Sequence, residues 1–318
     1  MRVSVVIPAY RRTEGLKLAV ESVIAQDLPP DEFELIVVDS TPDSDANERM
    51  VNQLATSAAC RVRCLRKKPE GPGPSRNLGV ANAAGEFIAF MDSDCVASPH
   101  WLRAGLAAFT PEVGLVQGRT IPEPGVPLGI FSHYILVEQE TFLYETANMF
   151  YRKSAFLESG GFTADLDPLA ETPIGGEDVH VAWTLKRKGW KSRFASDALM
   201  VHEVVPISKW DWIYIRRMYI YPLLAKKFPE IRSNLFARYF ADAPQAYLVL
   251  ALCGTGLALV HWAFLGLWLP YLVFRASEPS KTLKGILRPI RAMVYLTRDI
   301  TTLGLLIAGS IRFRSLLL

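Results

Sequence analysis

Asp92 and Asp94 flank Ser93 directly after the apolar run Phe87-Ile88-Ala89-Phe90-Met91. Carboxylates at i and i+2 at the mouth of a buried strand are costly unless they hold something. Oxygen ligands suit a hard divalent cation, Mg2+ or Mn2+. Asp-x-Asp alone is a weak signal, because the chain holds it three times: Asp43/Asp45, Asp92/Asp94 and Asp165/Asp167. The first and third copies stand in polar, turn-like stretches and read as turns or caps. Only the middle copy follows a strand. Two further sites could do chemistry. Glu177-Asp178 follow Gly175-Gly176 and open a helical pattern, a place where acids complement the helix dipole. His202 closes the short apolar run Leu199–Val201. His180, two residues beyond Asp178, points elsewhere on its helix.

The elements that must position these groups alternate. Val3–Ile7 is a β-branched run stopped by Pro8, as in a buried parallel strand. Residues 13–25 show helical spacing behind Thr13, an expected N-cap. Strands are predicted over 33–38, 61–65, 86–91 and 113–120, with short ones at 193–194 and 199–201. Helices are predicted over 45–57, 75–83, 99–109 and 178–188. Such alternation argues for right-handed βαβ units and a parallel sheet. In an open α/β sheet, ligands sit beyond the carboxyl ends of the strands. Pro8–Tyr10, Asp39, Gly71–Arg76 and Asp92–Asp94 fall there and should converge. Gly71-Pro72-Gly73-Pro74 is not a dinucleotide loop: it lacks a third glycine, and its prolines remove amide donors. It reads as a loop shaping a pocket wall.

Charge is unevenly distributed within a net +3. Residues 1–244 carry 27 basic and 30 acidic groups, residues 245–274 none, and residues 275–318 carry 8 basic and 2 acidic. An uncharged apolar stretch ahead of a basic tail favours a membrane with anionic lipids over nucleic acid. The opening MRVSVVIPAY is a strand pattern, not a cleavable signal. Cys60, Cys64, Cys95 and Cys253 form no CxxC pair, which indicates neither a zinc site nor a disulfide framework and suits a cytoplasmic catalytic domain.

VSVVIPAY (3–10), LIVVDS (35–40), GPGPSRNLGVANAAGEFIAFMDSD (71–94), NMFYRKSAFLESGGF (148–162), GGEDVHVAWTLKRKGW (175–190) and VHE (201–203) occur in this order. The ordered set resembles the nucleotide-sugar glycosyltransferases of family 2, and spans about the first two-thirds of the chain. That resemblance implies a GT-A fold: a Rossmann-like, mostly parallel sheet flanked by helices. It places Pro8, Ala9, Tyr10 and Asp39 against the base and ribose of a nucleoside-diphosphate sugar. Arg76 would lie near the base or ribose, and Asp92, with Ser93, near the ribose or the metal. Asp94 and His202 would be metal ligands, Mn2+ or Mg2+. Asp178 matches the catalytic base of inverting members, with Glu177 on the acceptor side. Arg216 or Arg217 would reach the donor diphosphate.

The expected organisation is a catalytic domain over 1–206, amphipathic interface helices over 207–244, and apolar membrane-associated helices with a basic tail over 245–318. Aromatics and bases interleave over 207–228, suiting headgroup depth. Residues 246–274, as one straight helix, would be roughly 43 Å long, beyond the ~30 Å hydrocarbon core. A single crossing would also put the basic tail on the far side. A pair broken near Gly254–Gly256 or at His261 keeps both flanks cytosolic, whereas residues 300–311 read as too short to span. The expected function is metal-dependent, inverting sugar transfer to a lipid-linked saccharide acceptor. A nucleotidyltransferase would show an early triphosphate loop that PAYRRTEG (8–15) does not supply; a catalytically silent sugar-binding scaffold is the other alternative.

Overall fold

The computed structural model describes residues 1–163, 166, 175–277 and 288–318; the third Asp-x-Asp copy, Asp165/Asp167, lies outside them. Contacts divide the chain into two units. One comprises Met1–Val126, Tyr134–Pro173 and Glu177–Val204; the other comprises Pro127–His133, Ile174–Gly176 and Val205–Leu318.

The first unit contains β1 (Val3–Ala9), α1 (Thr13–Ile24), β2 (Phe33–Asp39), α2 (Ala46–Ala55), β3 (Arg61–Arg66), α3 (Pro72–Asn82), β4 (Phe87–Met91) and β5 (Cys95–Ala97). It continues with α4 (Trp101–Ala107) and β6 (Val113–Pro122). After β7 (Ser132–His133), which belongs to the second unit, come β8 (Asn148–Arg152), α5 (Lys153–Glu158), α6 (Glu177–Arg187) and β9 (Lys191–His202). Eight strands form one sheet in the order β3-β2-β1-β4-β8-β6-β9-β5. The first four neighbours run parallel, and so do β6 and β9. β8 is antiparallel to both β4 and β6, and β5 is antiparallel to β9. β1, β2 and β4 are buried on both faces, as their mainly apolar runs dictate, and the buried Ser4 hydroxyl donates to the buried Glu34 carboxylate at 2.7 Å. Because these three are parallel, their carboxyl ends share one edge of the sheet.

Several local expectations change. Thr13 is the first helical residue rather than a cap, and its hydroxyl donates to Asn47 Oδ1 at 2.8 Å. Gly71-Pro72-Gly73-Pro74 opens α3 instead of forming a loop. Pro72 takes the first helical position, where its missing N–H costs nothing, and Gly71 at φ +95° has a backbone that needs glycine. The two short strands at 193–194 and 199–201 are one strand, β9, whose pairing with β6 slips between Gly118 and Arg119. Asn148 holds that irregularity: it accepts from Trp101 Nε1 at 2.8 Å and donates to the carbonyls of Arg119 and Ala198, each at 2.9 Å. A Cβ on Gly118 would collide with this amide.

The second unit includes β10 (Val205–Pro206), paired with β7, then α7 (Lys209–Ile213), α8 (Tyr221–Lys227), α9 (Ala243–Leu257), α10 (Leu269–Ser277) and α11 (Arg288–Phe313). The stretch 207–228 is not one amphipathic helix. Tyr214 leaves the helical region, a 3-10 turn spans Arg216–Ile220, and Pro222 restarts the chain. Trp212 is buried edge-on against Phe131 at 5.5 Å and Tyr295 at 5.2 Å, while Trp210 is exposed. α9 stops at Leu257, and the His261 ring accepts from Ala263 N to cap a 3-10 segment, Trp262–Trp268. α9 continues through Gly254 and Gly256, and the break falls over 258–261, with His261 at its end. Residues 300–311 belong to a longer helix than their composition indicated: Met293–Phe313 is long and apolar enough to cross a membrane.

Candidate active site

At the shared carboxyl edge, a cavity of about 450 Å3 is lined by Pro8, Ala9 and Tyr10 from the end of β1, Arg12, Ser40 after β2, Ser75 and Arg76 on α3, and Asp92-Ser93-Asp94 after β4. Seven of the residues named from sequence therefore meet in one place: Pro8, Ala9, Tyr10, Arg76, Asp92, Ser93 and Asp94.

Asp94 and His202 are brought together by the pairing of β5 with β9. Cys95 sits opposite His202 in that register, and Glu203 N donates to the Asp94 carbonyl at 2.9 Å. Asp94 Oδ1 consequently lies 3.7 Å from His202 Nε2. His202 is 2% exposed, and its Nδ1 stands 2.6 Å from the Glu203 carbonyl, which accepts. That bond puts a proton on Nδ1 and turns Nε2 toward Asp94, the orientation a metal-ligating histidine needs. Asp94, Cys95 and His202 offer ligand atoms within 4.8 Å of one another. Burial pushes the Cys95 thiol up, with Asp92 and Asp94 adding to the effect. One carboxylate oxygen and one imidazole nitrogen fit a divalent cation.

Arg12 was not singled out by sequence. It donates to Asp94 Oδ2 at 2.7 Å and to Glu203 Oε2 at 2.6 Å, bridging the two carboxylates. Its signal was present as a base two residues beyond Tyr10 in PAYRRTEG, and Glu203 stood in VHE. Arg76 donates to Asp92 Oδ1 at 2.6 Å and stacks over Phe162 at 5.5 Å. Its buried Nε has no hydrogen-bond partner among the described residues. A buried donor left over at a cavity wall fits a polar ligand.

Asp39 departs from expectation. It is fully buried, and both carboxylate oxygens are engaged: Thr41 N and Asn47 Nδ2 donate to Oδ1 at 3.0 Å, and Arg66 Nη1 to Oδ2 at 2.8 Å. Ser40, not Asp39, lines the cavity; Asp39 orders the loop behind it.

Glu177 and Asp178 stand in the first turn of α6. Glu177 packs over Gly73, near the start of α3. Neither residue lines the cavity, yet both lie close enough to Arg76 to raise its pKa. Burial of the Asp178 carboxyl pushes it up to about 7, with Glu177 adding, and Val179 N–H and Arg76 pulling back. An acid held there is half-ionised near neutral pH and can accept a proton. Arg216 and Arg217 open the 3-10 turn of the second unit, where Arg217 lines a cavity of that unit.

Comparison with known proteins identifies the family of the chain. The chain is 26% identical over 218 residues to the glycosyltransferase AglE of Haloferax volcanii, covering 65% of this chain and 68% of AglE. It is 32% identical over 135 residues to the poly(ribitol-phosphate) beta-N-acetylglucosaminyltransferase TarS of Staphylococcus aureus, but this covers 41% of the chain and only 23% of TarS. The mannosyltransferase PcManGT from Pyrobaculum calidifontis, solved with GDP-Man and Mn2+, shares the fold at a TM-score of 0.60 and 21% identity, over 98% of this chain and 87% of that one. The fold is the GT-A α/β fold. Residues 87–308 match the model of glycosyl transferase family group 2. Residues 4–167 match that of glycosyl transferase family 2, more than half of the chain, and the chain belongs to that family as a glycosyltransferase.

Proposed function

We propose that this glycosyltransferase moves a sugar from a nucleoside-diphosphate donor to an acceptor hydroxyl with inversion at the anomeric carbon. The observation that carries the reading is the cavity at the carboxyl edge, with Asp94 facing His202 on one side and Arg76 linking Asp92 electrostatically to Asp178 on the other. Pro8, Ala9, Tyr10 and Ser40 form the wall that receives the nucleoside. Asp94 and His202 would hold Mn2+ or Mg2+, which when bound supplies positive charge to the departing diphosphate. Arg76 fixes Asp92 and offers its remaining N–H to the donor. Asp178, as the base, takes the proton of the acceptor hydroxyl as that oxygen attacks the sugar carbon. Glu177 lies on the acceptor side and keeps Asp178 basic. GDP-Man and Mn2+ bound to PcManGT support this class of donor and cation.

The acceptor reading rests on the second unit. Its apolar helices and Met293–Phe313 suit attachment to a membrane surface with the catalytic unit cytoplasmic, and a tethered enzyme suits a lipid-linked saccharide acceptor.

A thermal-shift series on the full chain in detergent tests the site, using UDP, GDP and dTDP, each with Mn2+, Mg2+ or neither. Ligand at a hundred times its Kd stabilises by about 2.7 kcal/mol. One nucleoside diphosphate should raise Tm only with the cation, and Asp94→Asn should remove the cation's contribution. A folded preparation that responds to none of them would overturn the reading in favour of a silent scaffold.

A further inference from the structure

The second unit holds a cavity of about 420 Å3 that the transferase reading does not use. It is walled by the 3-10 turn at Arg217, by Asp242 and Gln245 at the start of α9, by Arg275 on α10 and by Arg298-Asp299 on α11. Its charges do not cancel. Arg275 is taken by Asp299, to which it donates from Nε at 2.8 Å and Nη2 at 2.6 Å. Tyr271 hydroxyl donates to the same carboxylate at 2.7 Å. Asp242 accepts from Gln245 N at 3.0 Å as the N-cap of α9. Arg217 and Arg298 have no carboxylate at ion-pair distance among the described residues. Arg298 is instead held over the Trp212 ring at 5.1 Å. Among the described residues, three guanidiniums stand against two carboxylates, which leaves one positive charge in excess, on a fork that matches phosphate oxygens.

A second observation points to a ligand. Gln245 is 1% exposed, and among the described residues its buried side-chain oxygen has no hydrogen-bond partner, while its nitrogen makes a long 3.4 Å bond to the Asp299 carbonyl. An orphaned acceptor at a cavity wall is costly and calls for a donor. Guanidiniums only donate and this oxygen only accepts. A bare anion satisfies the first and not the second.

We propose that this cavity binds a phosphate ester carrying a free hydroxyl, a phosphorylated polyol or sugar, with Arg217 and Arg298 on the phosphate and Gln245 Oε1 accepting from the hydroxyl. The ligand can come from solution or as a lipid headgroup; its chemistry is the same. The site lies wholly within the second unit and stands independently of the donor reading.

Calorimetric titration of the full chain in detergent with glycerol 3-phosphate and with inorganic sulfate, a tetrahedral oxyanion without a donor, tests it. Flotation with phosphatidylcholine vesicles, with and without phosphatidylglycerol, tests the lipid source. Arg298→Gln should weaken both soluble anions about tenfold or more. Gln245→Met, which changes no charge, should weaken glycerol 3-phosphate about tenfold and leave sulfate, which has no O–H to donate, unchanged. If only phosphatidylglycerol vesicles bind, and both variants reduce that binding, the ligand is a lipid headgroup. Because Gln245 is buried, the Tm of each variant is measured alongside, and Arg298→Lys, which keeps the charge and loses the fork, should fall between wild type and Arg298→Gln. Binding of every probe at wild-type strength in folded Arg298→Gln and Gln245→Met, or binding of none by the wild type, would overturn the assignment.

Discussion

Asp178 combines two properties that pull against each other. It stands where a helix dipole favours the anion, yet burial and Glu177 push its carboxyl up to about 7. Its folded value lies above the 3.8 of an ordinary aspartate, so between about pH 4 and 7 the native state binds the extra proton. Its contribution to stability is therefore present at low pH and lost as pH rises through 7. Asp178→Asn should flatten that part of the Tm profile and raise Tm near pH 8. As the base of the proposed transfer, the same substitution should cut turnover about 10^2 to 10^4-fold. In the wild type, turnover should rise with a limb near pH 7. Full turnover by Asp178→Asn would remove the mechanism and leave the fold untouched. Much of this site was legible, because a carboxylate pair after a buried strand and a histidine after another are local patterns. Arg12 was not, since its importance comes from Asp94 and Glu203, which lie far away in the chain. Asp39 misled for a related reason. A strand-end aspartate reads the same whether it faces a ligand or is saturated by Thr41, Asn47 and Arg66.

The strands and helices that carry these residues depend on close approach as much as on hydrophobic pattern. α3 reaches β1 at Gly79, where a Cβ would collide with the Val6 side chain. Both residues are buried, so the helix must shift or Val6 must leave its rotamer. Gly79→Ala should lower stability by about 1–3 kcal/mol, and the shift would pass to Arg76 one turn earlier. Urea midpoints at constant slope would read the first effect, and weaker nucleoside-diphosphate binding the second. An unchanged midpoint would mean that α3 and β1 are not packed this tightly. The βα alternation of the first ninety residues was readable because the buried parallel strands are mainly apolar runs closed by a turn or polar residue. β8 was harder. Asn148–Arg152 runs into α5 with no glycine or proline between them, and nothing local says that it inserts antiparallel between β4 and β6. The slip in β9 was also invisible, because the residue that holds it, Asn148, comes from another strand.

The chain joins an enclosed catalytic sheet to a unit that exposes apolar surface. Leu259, Val260 and Trp262 are 92%, 81% and 75% exposed around the break between α9 and the following 3-10 turn. No Asp, Glu, Lys or Arg occurs from 245 to 274. Contiguous apolar exposure of this kind marks an interaction surface, and the excess of bases over acids after residue 274 favours an anionic one. Burying a leucine or valine side chain contributes about 1.5–3 kcal/mol. Replacing Leu259 and Val260 by glutamate, in residues that contribute little to the folded interior, should therefore weaken vesicle binding at least about tenfold without lowering Tm. Trp262 supplies the second readout. Its emission should shift to the blue with phosphatidylglycerol-containing vesicles in the wild type and not in the double variant. Equal binding by both proteins would move the membrane contact away from this break and onto α11, whose Met293–Phe313 stretch is long enough to provide it.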